Sequence, residues 1–161
     1  MTTITFDEIL ALFGRTIEET EVTQFLSKYP DHRITKPSDG DQDVIFKNLG
    51  FDLLFKQVSS TQGRRGARTR PLLCVFLYRE GQDRHREFPS LPFHITFQDT
   101  RDQLIEKLGQ PYRVSDRDEQ GRPGWEKWLI EEVTLHTMYD RATMMSKVIT
   151  VRRACDTTDL P

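Results

Sequence analysis

A spacing of 82 residues recurs along this chain and restricts its fold more than any other feature. At that offset Val22 meets Leu104, Leu26 meets Leu108, Phe46 meets Trp128, Phe51 meets Val133 and Leu53 meets Leu135. A helix, a loop and two strands recur in the same order, which is the mark of an internal repeat. The third strands, LLCVFLY and KVITVRR, also correspond, but there the offset shrinks. The long connection QVSSTQGRRGARTR of the first half is replaced in the second by the tight YDRATMMS.

Local signals agree with that order. Three Thr-x-x-Glu/Gln capping boxes, Thr5–Glu8, Thr16–Glu19 and Thr100–Gln103, mark helix starts. The first helix stops at Gly14, the second before Pro30, and the third at Gly109 with Pro111 behind it. Short runs rich in β-branched and aromatic residues predict strands at 44–48, 51–57, 71–79, 93–97, 125–130, 132–139 and 146–153. Alternation is clearest in Phe51/Leu53/Phe55 and Val133/Leu135/Thr137, so one sheet face is packed and the other partly wet. The expected fold is α+β: two tandem α-β-β-β repeats with helices on one face of an antiparallel sheet. They span about 5–80 and about 91–153 of a single domain, 1–161, with a flexible tail at 154–161.

Charge narrows the function classes. The 161 residues carry a net charge of −2, and the halves hardly differ. Residues 1–90 have 13 Lys and Arg against 13 Asp and Glu, and residues 91–161 have 10 against 12. Such balance disfavours a general nucleic-acid binder. The opening MTTITFDEILALFG has no basic start and no apolar run long enough for a signal peptide or a membrane span, so a cytoplasmic location is expected. The two cysteines, Cys74 in an apolar run and Cys155 in the polar tail, read as idle thiols.

Chemistry-bearing residues fall in loops. Acidic loops follow both repeat helices, with Asp39, Asp41 and Asp43 in the first and Asp116, Asp118 and Glu119 in the second. The second begins like a calcium loop, with Gly121 at the sixth position, but Lys127 stands where a bidentate Glu is needed, and no metal or other cofactor is expected. A third loop concentrates Arg64, Arg65, Arg68 and Arg70 among small residues, suited to gripping phosphates or carboxylates. It has no interleaved aromatic residues for stacking on bases. No nucleophile has its helpers in sequence, and His94 and His136 are expected on strands, on the sheet face opposite their apolar neighbours.

The segment from Leu91 to Pro111, followed by a Trp-containing strand and by Val133-Thr-Leu-His-Thr-Met-Tyr-Asp140, resembles the pattern LPxGLxFxMSRxxVxxxLGxP…WDRY…YxLHxQYD of a bacterial family of small two-repeat proteins. Ile9–Gly14, Glu21–Leu26, Phe46–Phe55 and Val75–Tyr78 extend the resemblance over nearly the whole chain. His94 and Ile95 stand where the family has Gly-Leu, and Thr100 where it has Ser. The resemblance implies a fold similar to β-lactamase inhibitor proteins and small outer-membrane assembly lipoproteins, which present a sheet surface to another protein. It also implies a role as an immunity protein encoded beside a secreted toxin.

The expected function is therefore a non-enzymatic immunity or inhibitor protein that neutralises a cognate toxin or effector. Asp39, Asp41, Asp116, Asp118 and Glu119 would meet a basic toxin; Arg64, Arg65, Arg68 and Arg70 would meet an acidic site. Two other readings stand beside it. One is a secretion-system adaptor or effector chaperone. The other is an enzyme with a dispersed site between the repeats, where His94 or His136 would converge with a carboxylate. A short edge strand can also pair with a second copy, making a homodimer.

Overall fold

The computed structural model describes residues 3–58 and 69–153. Helices α1 (Phe6–Leu10) and α2 (Thr20–Lys28) precede strands β1 (Arg33–Ile34), β2 (Asp41–Phe46), β3 (Phe51–Lys56) and β4 (Leu72–Tyr78). Helix α3 (Arg101–Leu108) precedes β5 (Arg113–Val114), β6 (Trp125–Ile130), β7 (Val133–Asp140) and β8 (Met145–Arg153). All eight strands form one antiparallel sheet in the order β1-β2-β3-β4-β8-β7-β6-β5. The two four-strand groups meet along β4 and β8, where Val75 lies opposite Val151.

Register explains the core. The cross-strand row Phe46–Phe51–Leu77–Ile149–Thr137–Glu126 is fully buried, and so is the row Val44–Leu53–Val75–Val151–Leu135–Trp128 beside it. Each apolar side chain so placed contributes about 1.5–3 kcal/mol relative to exposure. Helix α2 covers one end of these rows, where Phe25 meets the rings of Phe46 and Phe51 edge-on at 6.0 and 6.3 Å. Helix α3 covers the other end, where Arg101 Nη2 donates to Glu126 Oε1 at 2.6 Å. Both helices therefore lie on the same face. Because side chains alternate along a strand, the intervening positions form the opposite face, which no α-helix covers among the described residues and which is called the helix-free face below.

The capping boxes Thr5–Glu8 and Thr100–Gln103 form at the two expected helix starts. The second helix is corrected. Glu19 Oε1 accepts the Thr16 N–H at 2.9 Å, but that bond closes a turn, and the helix begins at Thr20. The strand expected at 93–97 is also corrected. Pro92–His94 is a 3-10 turn in which Phe93 and His94 hold left-handed backbone, φ 58 and 57, which no strand permits. Ile95 and Phe97 still reach the core, so period-two burial survives there without a strand. The tail 154–161, with Cys155, and the arginine loop at 59–68 lie outside the described residues.

Candidate functional site

The face opposite the helices is partly exposed, although Cys74, Thr134 and Thr150 in its central rows are buried. Its central rows are Ile45–Asp52–Phe76–Thr150–His136–Lys127 and Asp43–Leu54–Cys74–Arg152–Thr134–Leu129. Leu129, 48% exposed, and Met138, 39% exposed, stand out from it. Trp125 gives it an aromatic ridge: the His136 ring meets the indole edge-on at 5.3 Å, and Lys127 Nζ lies 5.7 Å from its centroid. Large rings and aliphatic side chains set among polar ones are the composition of a protein-docking surface.

Charge on this face is divided between the halves. Asp43 and Asp52 stand on β2 and β3, while Arg113, Lys127 and Arg152 stand on β5, β6 and β8; Arg33 and Lys56 sit at the margin of the first half. Burial, with Asp52 and Asp41 close by, pushes the Asp43 carboxyl up from the usual range. Cys74 lies fully buried within the face, and burial pushes its thiol up to about 11, so it is a packed side chain and not a nucleophile.

The charged loops occupy two diagonal corners, a consequence of strand order. Neighbouring strands run in opposite directions, so the β1–β2, β3–β4 and β6–β7 connections emerge at one end of the sheet and the β2–β3, β5–β6 and β7–β8 connections at the other. Asp39 and Asp41 are therefore brought to the same end as Arg70, whose Nη1 donates to Gln42 Oε1 at 3.2 Å. Arg64, Arg65 and Arg68 lie outside the described residues. Asp116, Asp118 and Glu119 sit at the opposite end and edge, and do not converge with Asp39 and Asp41.

Asp118 is committed to its own loop. Its carboxylate accepts the N–H groups of Gln120 and Arg122 at 3.0 and 2.9 Å and the Arg122 guanidinium at 3.1 Å. The Arg122 amide leads the contacts that hold this carboxyl below its usual range. Among the described residues, no group of three His, Cys, Asp or Glu side chains could hold a metal ion.

One cluster on this side had no signal in the sequence. Asp52 Oδ2 accepts the Tyr78 hydroxyl at 3.0 Å, its Oδ1 lies 2.8 Å from His85 Nε2, and the rings of Tyr78 and His85 stack at 3.8 Å. His85 sits in the polar run GQDRHRE, where nothing marks it as buried. Its segment is strapped down by Arg86 N–H to Lys47 O at 2.9 Å and Phe88 N–H to Tyr78 O at 3.0 Å. His94, expected on a strand, lies instead on the wall of a groove on the helix side with Asp7, Glu131 and Glu132. Among the described residues no hydrogen bond joins its ring to a carboxylate.

Comparison with known proteins bears on this architecture. No family model matches the chain, and no curated protein does. An extracellular protein containing a SCP domain from Bacillus anthracis strain Ames is similar over 95% of this chain and 47% of that one, with 11% identity and a TM-score of 0.58. A cysteine-rich secretory protein from Staphylococcus aureus strain Mu50 aligns over 89% of this chain and 44% of its own, with 10% identity and a TM-score of 0.48. The first likeness is one of fold alone. The chain spans about half the length of the solved structures it matches.

Proposed function

We propose that this is a cytoplasmic, non-enzymatic immunity or inhibitor protein that neutralises a cognate bacterial toxin or effector by covering it with the helix-free sheet face. The observation that carries the reading is that face itself. Trp125, Leu129 and Met138 rise from it as apolar anchors, and charged loops flank it at diagonal corners. Buried rings and aliphatic side chains supply affinity in such contacts, while rim charges set orientation and on-rate. The corner with Asp39, Asp41 and Arg70, and the corner with Asp116 and Glu119, would guide a toxin into register.

We also propose that the chain is two tandem α-β-β-β repeats, each extended by a two-residue edge strand, β1 or β5. Matching edge bonds support this. Thr35 N–H donates to Asp43 O at 2.9 Å and Thr35 Oγ1 accepts Asp43 N–H at 2.9 Å; Ser115 N–H donates to Trp125 O at 3.0 Å and Ser115 Oγ accepts Trp125 N–H at 3.1 Å. The mirrored strand order and the Val75–Val151 pair at its centre support it further. The two diagonal acidic corners are then one feature seen twice.

The functional reading is tested by co-purifying the full chain with the toxin-like product of an adjacent gene and by co-expressing both in cells. A stable complex with restored growth is expected. A toxin that neither binds nor is neutralised contradicts the proposal.

A further inference from the structure

On the helix side, a groove of about 1190 Å3 runs between α1, the Pro92–His94 turn and the β6–β7 turn. Small-molecule pockets span roughly 300–1,000 Å3, so this volume suits a length of chain better than a compact metabolite. Its apolar lining includes Leu10, Phe13, Leu91 and Phe93. Leu10 belongs to a helix that buries Phe6 and Ile9, yet it is itself 39% exposed, turned to the groove and not to the core.

The charges around the groove are uneven. Arg15 is held by Glu19 and Glu21, each at 3.1 Å. Arg153 lies over Gly14, with Nη1 3.7 Å from where a Cβ would stand. Asp7, Glu131 and Glu132 have no ion pair among the described residues. Set against the one guanidinium of the groove that has no ion pair among the described residues, Arg153, these three carboxylates leave an acidic excess beside an apolar floor, which favours a cation next to an apolar group.

The walls are set in advance. Phe93, His94 and Glu131 hold left-handed backbone, φ 58, 57 and 52, conformations that cost of order 1–3 kcal/mol each and persist only where the surroundings enforce them. Lys107 enforces one of them by donating to His94 O at 3.0 Å and to both oxygens of the buried Asp99 at 2.9 and 2.7 Å. A site whose shape is fixed before binding loses less entropy on association.

We infer that this groove binds a peptide segment in which an apolar side chain is flanked by Lys or Arg. The site lies on the opposite side of the sheet from the face described above, so it stands whether or not that face binds a toxin. The test pans a phage-displayed random peptide library over the immobilised full chain. Enriched sequences are expected to carry an aliphatic or aromatic residue with Lys or Arg within two positions. A synthetic peptide of that sequence should perturb amide signals of residues 5–15, 90–94 and 131–133. The double variant Glu131→Gln/Glu132→Gln and, separately, Leu10→Ser should each weaken it about tenfold, whereas Leu129→Asp on the opposite face should leave it unchanged. All four positions are exposed to solvent, and thermal melts are to check that each variant folds. Absence of enrichment, enrichment of acidic sequences, or binding indifferent to the groove variants would overturn the inference.

Discussion

Glu126 is the residue on which the second half of the core turns. It occupies the end of a fully buried row yet carries a carboxylate, tolerated because Arg101 Nε and Nη2 donate to one oxygen at 2.9 and 2.6 Å and the Tyr139 hydroxyl to the other at 2.7 Å. Arg101→Ala leaves that carboxylate buried and without its cation, which should cost about 3–5 kcal/mol in denaturant unfolding. Tyr139→Phe removes one donor and should cost about 1–3 kcal/mol. Because the three side chains form one network, the double variant should fall short of the sum.

Surface carboxylates set the pH response at the same scale. A hydrogen bond from Lys28 leads the contacts that hold Glu8 below its usual range, and the Ala142 amide leads those that hold Asp140 down. Groups depressed in the folded state stabilise it above their unfolded pKa, and that contribution is lost as pH falls through the folded value. Thermal stability should therefore drop below about pH 4, and Asp140→Asn should soften the drop. Asp43 behaves in the opposite sense. Its carboxyl is raised by burial and by neighbouring Asp52 and Asp41, so its charged form is disfavoured in the folded state. Asp43→Asn should raise the melting temperature at pH 7, a gain that vanishes below about pH 4, where the folded and unfolded chains both carry the protonated acid.

At the scale of elements, the β2–β3 turn shows how a strap is held. Gly50 has φ +80, and a Cβ there would stand 2.5 Å from both Arg86 O and Phe88 N. The backbone of the strap occupies the space a side chain would need. Gly50→Ala should cost about 3 kcal/mol or more and loosen the 79–88 segment in hydrogen exchange. Gly81, with φ +80 and nothing within 4 Å, should cost about 1 kcal/mol when changed to Ala, from backbone conformation alone.

Which elements the sequence discloses follows from the same physics. β3 alternates cleanly and β7 does so from Leu135 onward, because one side of each faces the buried rows, and their limits fall within a residue of those expected. β1 and β5 are two residues long, too short for any period, and only the Thr35 and Ser115 bonds reveal why the chain pairs there. Phe93–Phe97 alternates like a strand, yet left-handed backbone at Phe93 and His94 turns it aside. The charged corners were legible as loop composition. Their diagonal placement was not, because it depends on β4 pairing with β8, a contact between residues some 76 positions apart.

For the whole molecule, pairing of β4 with β8 makes one continuous core from residues Ile4 to Val151. Thermal unfolding followed at Trp125 and Trp128 and by backbone circular dichroism should show one coincident transition, because neither four-strand group keeps a complete sheet alone. Continuity also holds the two charged corners at a fixed separation across the open face. Under the proposed docking, a partner that reads both corners would have to match that spacing.

The most direct test of the central claim is the affinity of the full chain for the proposed toxin, the toxin-like product of an adjacent gene, measured by calorimetry for the native sequence, for Leu129→Asp/Met138→Asp, and for the groove variant Leu10→Ser. Docking through the helix-free face predicts that the first variant weakens binding by about 100-fold or more with its melting temperature preserved, while Leu10→Ser binds the toxin as the native chain does. Undiminished affinity in Leu129→Asp/Met138→Asp would contradict it.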